Sequence, residues 1–207
     1  LLFDHHYSQR HFDFIKQSLV QINHELEKFN TEILIVEEEF IAALKKINLK
    51  FPISNLYSHQ ETGIKITFDR DIEVAEFCKN NKIIWNQYIT NGVKRGMKNR
   101  KTWRDDWCEF MDLDVYKFEP KPNSFLDSEN IKALQWDFKI PNLTTDSATP
   151  FQKGGSKTGL RYLQSFLDHR VQNYSKHISK PALSRKGCSR LSPYLAYGNI
   201  SMRMVYQ

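Results

Sequence analysis

A long amphipathic stripe followed at once by a short branched apolar run limits this chain more than any other feature. Phe12, Ile15, Leu19, Ile22, Leu26 and Phe29 recur at steps of three and four, which lays one apolar face along a helix of about five turns between Arg10 and Asn30. Glu32-Ile33-Leu34-Ile35-Val36 comes next, a β-branched run of the kind that fills a buried parallel strand. The alternation then repeats. Phe40, Ala43, Leu44 and Ile47 mark a second helix, and Pro52 to Ser58 a strand. Asp69 to Asn80, acidic at its start and carrying Ile72, Val74, Ala75 and Phe77, predicts a third helix; Ile83 to Tyr88 predicts a further strand. Helix and strand in this order predict a doubly wound parallel α/β sheet with helices on both faces.

Beyond residue 112 the pattern lapses. Irregular apolar spacing and prolines at 120, 122, 141 and 150 make residues 113–152 a connector across a surface. From 153 onward a new helical pattern begins: Gly154-Gly155, then Leu160, Leu163, Leu167, Val171 and Tyr174 at helical spacing, with Arg161, Asp168 and Arg170 on other faces. Charge divides the chain too. The overall balance is +6, yet from Pro150 onward ten Lys and Arg face one acid, Asp168, so the first 149 residues are slightly acidic. A concentrated cationic segment attracts phosphate, whether of a dinucleotide or of a DNA backbone.

Within that segment, Ser189 and Ser192 place hydroxyls, and Arg190 a guanidinium, ahead of Pro193, a residue suited to a helix's first turn. Backbone N–H groups left unpaired at a helix start, joined by two hydroxyls, can grip a phosphate; the plainer alternative is a simple helix cap. Other chemistry is not written in the chain. G-x-G-x-x-G, the phosphate-binding G-x-x-x-x-G-K-[ST], H-E-x-x-H and G-x-S-x-G are absent. Cys78, Cys108 and Cys188 lack C-x-x-C spacing, which suggests neither disulfides nor zinc. His5, His6 and His11 read as solvated rather than metal-ligating, and Glu37-Glu38-Glu39 as a charged helix start. Trp103 and Trp107, four apart, read as helix packing, and Trp136 as an anchor for the connector.

The whole run Cys188-Ser189-Arg190-Leu191-Ser192-Pro193-Tyr194-Leu195-Ala196-Tyr197-Gly198-Asn199-Ile200-Ser201 closely resembles the flavin-binding signature of the cryptochrome/photolyase family, Thr-Ser-x-Leu-Ser-Pro-x-Leu-x-x-Gly-x-Ile-Ser. Cys188 departs from the usual Thr, and a thiol is the weaker hydrogen-bonding group. Gly154-Gly155 with Gly159, Leu163, Phe166 and Leu167 is similar to the helix that opens the family's flavin domain, and Tyr174 matches its diphosphate-side Tyr. Asp4-His5-His6-Tyr7-Ser8-Gln9-Arg10, Tyr57-Ser58-His59-Gln60-Glu61-Thr62-Gly63, Phe68-Asp69-Arg70-Asp71 and Asn91-Gly92-Val93-Lys94-Arg95-Gly96 resemble, in order, segments of its α/β domain.

The resemblance implies an internal stretch of a longer flavoprotein. Residues 1–112 would be a photolyase-type α/β domain lacking its first strand, 113–152 a linker, and 153–207 the beginning of an all-α FAD-binding domain. It implies FAD held by Tyr174, Cys188, Ser189, Arg190, Leu191 and Ser192, with no catalytic residue in this stretch and no metal. An antenna chromophore, a folate or a deazaflavin, is also implied. The expected activity is blue or near-UV light-driven repair of pyrimidine dimers in damaged DNA by electron transfer from reduced flavin. The alternatives are a photoreceptor that binds FAD and signals without repair, and an unrelated α/β nucleotide-binding protein. No run nears the ~20 apolar residues of a membrane span, so a cytoplasmic monomer is expected.

Overall fold

The computed structural model describes residues 7–121, 123–145 and 150–207, so the Asp4-His5-His6 part of the entry motif and Pro122 lie outside the described residues. The elements are, in order, α1 (Gln9–Leu26), α2 (Phe40–Lys50), β1 (Asn55–His59), α3 (Lys65–Asn80), β2 (Ile84–Tyr88), α4 (Trp103–Asp112), α5 (Ser128–Gln135), α6 (Ser156–Ser165), α7 (Tyr174–His177), α8 (Pro181–Gly187), α9 (Ser192–Ala196) and α10 (Met202–Tyr206). They fall into two compact units, neither continuous in sequence. Unit 1 gathers the described residues of 1–33, 123–127 and 142–206; unit 2 gathers those of 34–122 and 128–141, with Gln207.

In unit 2, β1 and β2 pair in parallel, Asn55 opposite Ile84 through His59 opposite Tyr88, with α3 as the crossover a parallel pair requires. Leu44 of α2, Val74, Phe77 and Cys78 of α3, and Ile83 form the core beneath them. Burial pushes the Cys78 thiol pKa up, as expected of a thiol held among apolar side chains. Lysines of α2 clip onto α5 and the turn after it: Lys50 Nζ donates to the Ala133 carbonyl at 2.8 Å, and Lys46 Nζ to that of Asp137 at 3.0 Å. Trp136 does not anchor anything there; it stands 90% exposed.

The expected doubly wound sheet is not present. Of the described residues 54% are helical, and their sheet is the two-stranded β1–β2 pair. The expectation fails at Glu32–Val36, which forms no strand. In place of a ladder, the Ile33 N–H donates to Asn23 Oδ1 at 2.8 Å, and just beyond the run the Glu37 N–H donates to the Lys139 carbonyl at 2.8 Å. A branched apolar run becomes strand only when a neighbour takes its backbone groups. The third helix also starts a turn before Asp69, at Lys65, and the buried Asp71 is held by Arg95 at 3.0 Å and Arg70 at 2.9 Å rather than by a helix dipole.

Unit 1 is built on α1. Ser8 caps it, its N–H donating to His11 Nδ1 at 3.0 Å. Phe14 packs with Leu163 of α6, Leu191, Tyr194 of α9 and Ile200 in one core, flanked by Tyr162 and Tyr197. Tyr194 is wholly buried at 0% exposure, and its hydroxyl donates to the Lys153 carbonyl at 2.8 Å, as a buried phenol must find a partner.

Candidate functional site

The start of α6 is closed by side chains from α1. The Gly154 N–H donates to Gln17 Oε1 at 2.7 Å, the Gly155 N–H to Ser18 Oγ at 3.0 Å, and the Lys157 N–H to Gln21 Oε1 at 3.3 Å. Helices approach this closely only over glycine. A Cβ on Gly154 would run into the Phe14 carbonyl oxygen, and one on Gly155, where φ is +105°, into the Gln21 amide. A Cβ on Gly159 would stand 3.0 Å from the Tyr194 ring. The Gly-Gly-x-x-x-Gly spacing is therefore a packing code for α1 and α9, and side chains of α1 take the N–H groups of Gly154, Gly155 and Lys157.

The run from Cys188 to Ser192 is constructed differently. α8 ends at Gly187, whose backbone lies against the His177 ring of α7 so closely that no Cβ would fit. Arg190 then adopts a left-handed φ of +60°, and Leu191 returns to the right-handed region at φ −86°, ψ −12°. A left-handed residue followed by a right-handed one curls successive N–H groups toward one concavity, the geometry of an anion nest. Leu191, at 3% exposure, sinks its side chain into the core and pins the curl. Among the described residues no acceptor takes the N–H of Ser189, Arg190, Leu191 or Ser192, and neither serine hydroxyl has a partner. The helix that follows is a five-residue turn, so the N–H groups of the loop, and not a long helix dipole, supply whatever grip this run has.

Two residues outside the run fix its carbonyls. Arg170 donates from Nη1 to the Cys188 carbonyl at 2.6 Å, from Nη2 to that of Tyr162 at 2.7 Å and from Nε to that of Ser165 at 3.4 Å. Gln152 Nε2 donates to the Arg190 carbonyl at 2.9 Å. Arg170, one of the ten cations of this segment, does not face a phosphate; its guanidinium is taken up by backbone, across the π-helical turn Phe166–Arg170. Gln152 carried no sequence signal. With the carbonyls held by these donors, the loop's N–H groups are left to face a ligand.

Of the six residues named for the flavin, Cys188 to Ser192 form this curl. Tyr174, 39% exposed, opens α7, which packs on α8, and its ring meets Phe166 edge-on at 5.7 Å. A diphosphate fits what is here: backbone N–H groups without an acceptor around the left-handed Arg190 and right-handed Leu191 pair, the Ser189 and Ser192 hydroxyls, and a site on the cationic segment. The Cys188 thiol is the weakest donor of the set.

Two cavities lie elsewhere. One of about 420 Å³ in unit 1 is lined by Phe151, Gln152, Lys153, Thr158, Arg161, Tyr162 and Ser165. The other, about 710 Å³ in unit 2, lies between Glu61–Lys65 with Phe68 and Arg95–Gly96, beyond the carboxyl end of β1. No group of His, Cys, Asp and Glu among the described residues could hold a metal ion, and none of the described helices is long and apolar enough to cross a membrane. No protein-family model matches the chain, and no curated protein matches it.

Proposed function

We propose that this chain is the flavin-phosphate side of a light-driven DNA repair flavoprotein that reverses pyrimidine dimers. The observation that carries the reading is the curl at Ser189–Ser192: unpartnered N–H groups and free hydroxyls, in a run that resembles a flavin signature residue by residue. When bound, reduced FAD supplies the light absorption and the electron that splits the dimer. This chain's residues would bind and orient the diphosphate. The N–H groups of Ser189 to Ser192 and the two hydroxyls donate to phosphate oxygens, Leu191 locks the loop, Arg170 keeps its carbonyls turned away, and Tyr174 lies on the diphosphate side. Lys176, Lys180, Arg185 and Lys186 follow one another with no acid between, a surface suited to the backbone of damaged DNA. The cavity beyond β1 is at the strand end where parallel α/β units take ligands, and there an antenna folate or deazaflavin would bind.

The test uses the complete protein carrying this chain, loaded with reduced flavin and given DNA with a single cyclobutane dimer, in blue light and in darkness. Light-dependent repair is the expected result. Ser189→Ala and Ser192→Ala should each weaken flavin binding about fivefold, the effect of about 1 kcal/mol per hydrogen bond. Bound flavin with no repair in light would overturn the repair activity in favour of light sensing, and a protein that takes up no flavin would overturn both.

A further inference from the structure

The cavity of about 420 Å³ in unit 1 has the chemistry of a second binding site. Its lining holds two cations, Lys153 and Arg161, and no carboxylate. Three more cations flank it on the rings of its own wall: the Arg10 guanidinium stands 5.3 Å from the centroid of Phe151, and those of Arg190 and Arg170 stand 5.8 Å and 5.9 Å from the centroid of Tyr162. Among the described residues neither Lys153 nor Arg161 has a carboxylate partner. Arg161 is steadied instead by Thr158, its Nη2 donating to Oγ1 at 3.3 Å. Like charges gathered around one concavity repel one another unless something anionic sits among them, and a walled recess concentrates that field.

The same wall supplies the rest of a recognition set. Thr158 and Ser165 offer hydroxyls one and two turns along α6, while Phe151 and Tyr162 give apolar surface for the organic part of a ligand. A volume near 400 Å³ lies in the range of small-ligand sites. Arg190 reaches the edge of the cavity from the curl, but none of Tyr174, Cys188, Ser189, Leu191 or Ser192 lines it, so the cavity neighbours the loop that would take the flavin diphosphate and is lined by other residues.

We propose that this cavity binds a small organic phosphate of mononucleotide size, with Arg161 and Lys153 on the phosphate, Thr158 and Ser165 donating hydroxyls to it, and Phe151 and Tyr162 against its body. The test titrates the full chain by calorimetry with AMP, adenosine, inorganic phosphate and a short oligothymidylate. Saturable AMP binding in the millimolar range or tighter is expected, weaker for inorganic phosphate and lost for adenosine. Arg161→Gln and Lys153→Gln change exposed side chains and should each weaken AMP about tenfold, the scale of one charge-assisted contact. Adenosine binding as well as AMP, or AMP affinity untouched by both variants, would overturn the proposal. So would AMP affinity that falls with Ser189→Ala, which moves the ligand onto the loop. Oligothymidylate binding that depends on Arg161 while AMP shows none assigns the cavity to a nucleic-acid backbone and overturns it likewise.

Discussion

Unit 1 contains two small-residue openings that look alike in sequence and behave in opposite ways. At Gly154, Gly155 and Lys157 the backbone N–H groups are taken by Gln17, Ser18 and Gln21 of α1. At Ser189–Ser192 the corresponding groups meet no acceptor among the described residues, while Arg170 and Gln152 donate to the Cys188 and Arg190 carbonyls. The first opening is a joint; the second is left open. What separates them is where neighbouring side chains place their acceptors and donors: acceptors fill a helix start, and donors on the opposite edge leave it hungry.

Breaking the joint should have the largest effect. Gly154→Ala drives a methyl into the Phe14 carbonyl and is expected to destabilise unit 1 by more than about 4 kcal/mol, read as loss of a cooperative urea transition. Gly96→Ala, with no atom within 4 Å of the added methyl and only its left-handed φ of +68° against it, should lower stability by about 1 kcal/mol. Equal losses would refute the close-packing account of Gly154.

At the second opening, Arg170→Met leaves three carbonyls without their donor. It should destabilise by about 3 kcal/mol and weaken flavin binding as well, since the loop is then free to turn its carbonyls inward. A variant that loses stability yet keeps full flavin affinity would show that Arg170 holds the fold and not the loop.

Tyr194 belongs to both openings, its ring against Gly159 and its hydroxyl on Lys153, and it sharpens the comparison through pH. Burial pushes its pKa up to about 12 from 10.0. The folded state thus keeps the proton that the unfolded chain has already released. Its contribution is complete below pH 10.0 and vanishes as pH rises through about 12. Urea midpoints should fall across that window, and Tyr194→Phe should flatten the fall at the price of a lower midpoint throughout. An identical slope in the variant would place the alkaline sensitivity elsewhere.

Much of the local structure was legible because it rests on periodicity. The stripe from Phe12 to Phe29 marks α1, Phe40 to Ile47 marks α2, and the two strands stand within three residues of their expected starts. Periodicity did not reveal which face of α1 matters most. Phe14 and Ser18 are its buried positions, and Gln17 and Gln21 look like solvent-facing polar residues until Gly154 and Gly155 arrive beneath them. The glycine spacing and the Cys188–Ser192 run were visible as words, but their physical sense was not. Nothing in the order of residues says that Arg190 is left-handed, or that the cation at position 170 turns inward to three carbonyls. The doubly wound sheet was over-read for the related reason that Glu32–Val36 has the composition of a strand but no ladder.

The α1 joint also sets a clock. Its partners lie 137 residues further along the chain, at Gly154 and Gly155. At ribosomal speeds that interval is on the order of ten seconds, during which Phe14 waits with its apolar face uncovered and Gln17, Ser18 and Gln21 have only water to bind. The early helix is thus made long before it has anywhere to go. Unit 1 closes late, from its two ends at once, and until then α1 is a natural client for whatever shields nascent apolar surface in the cell.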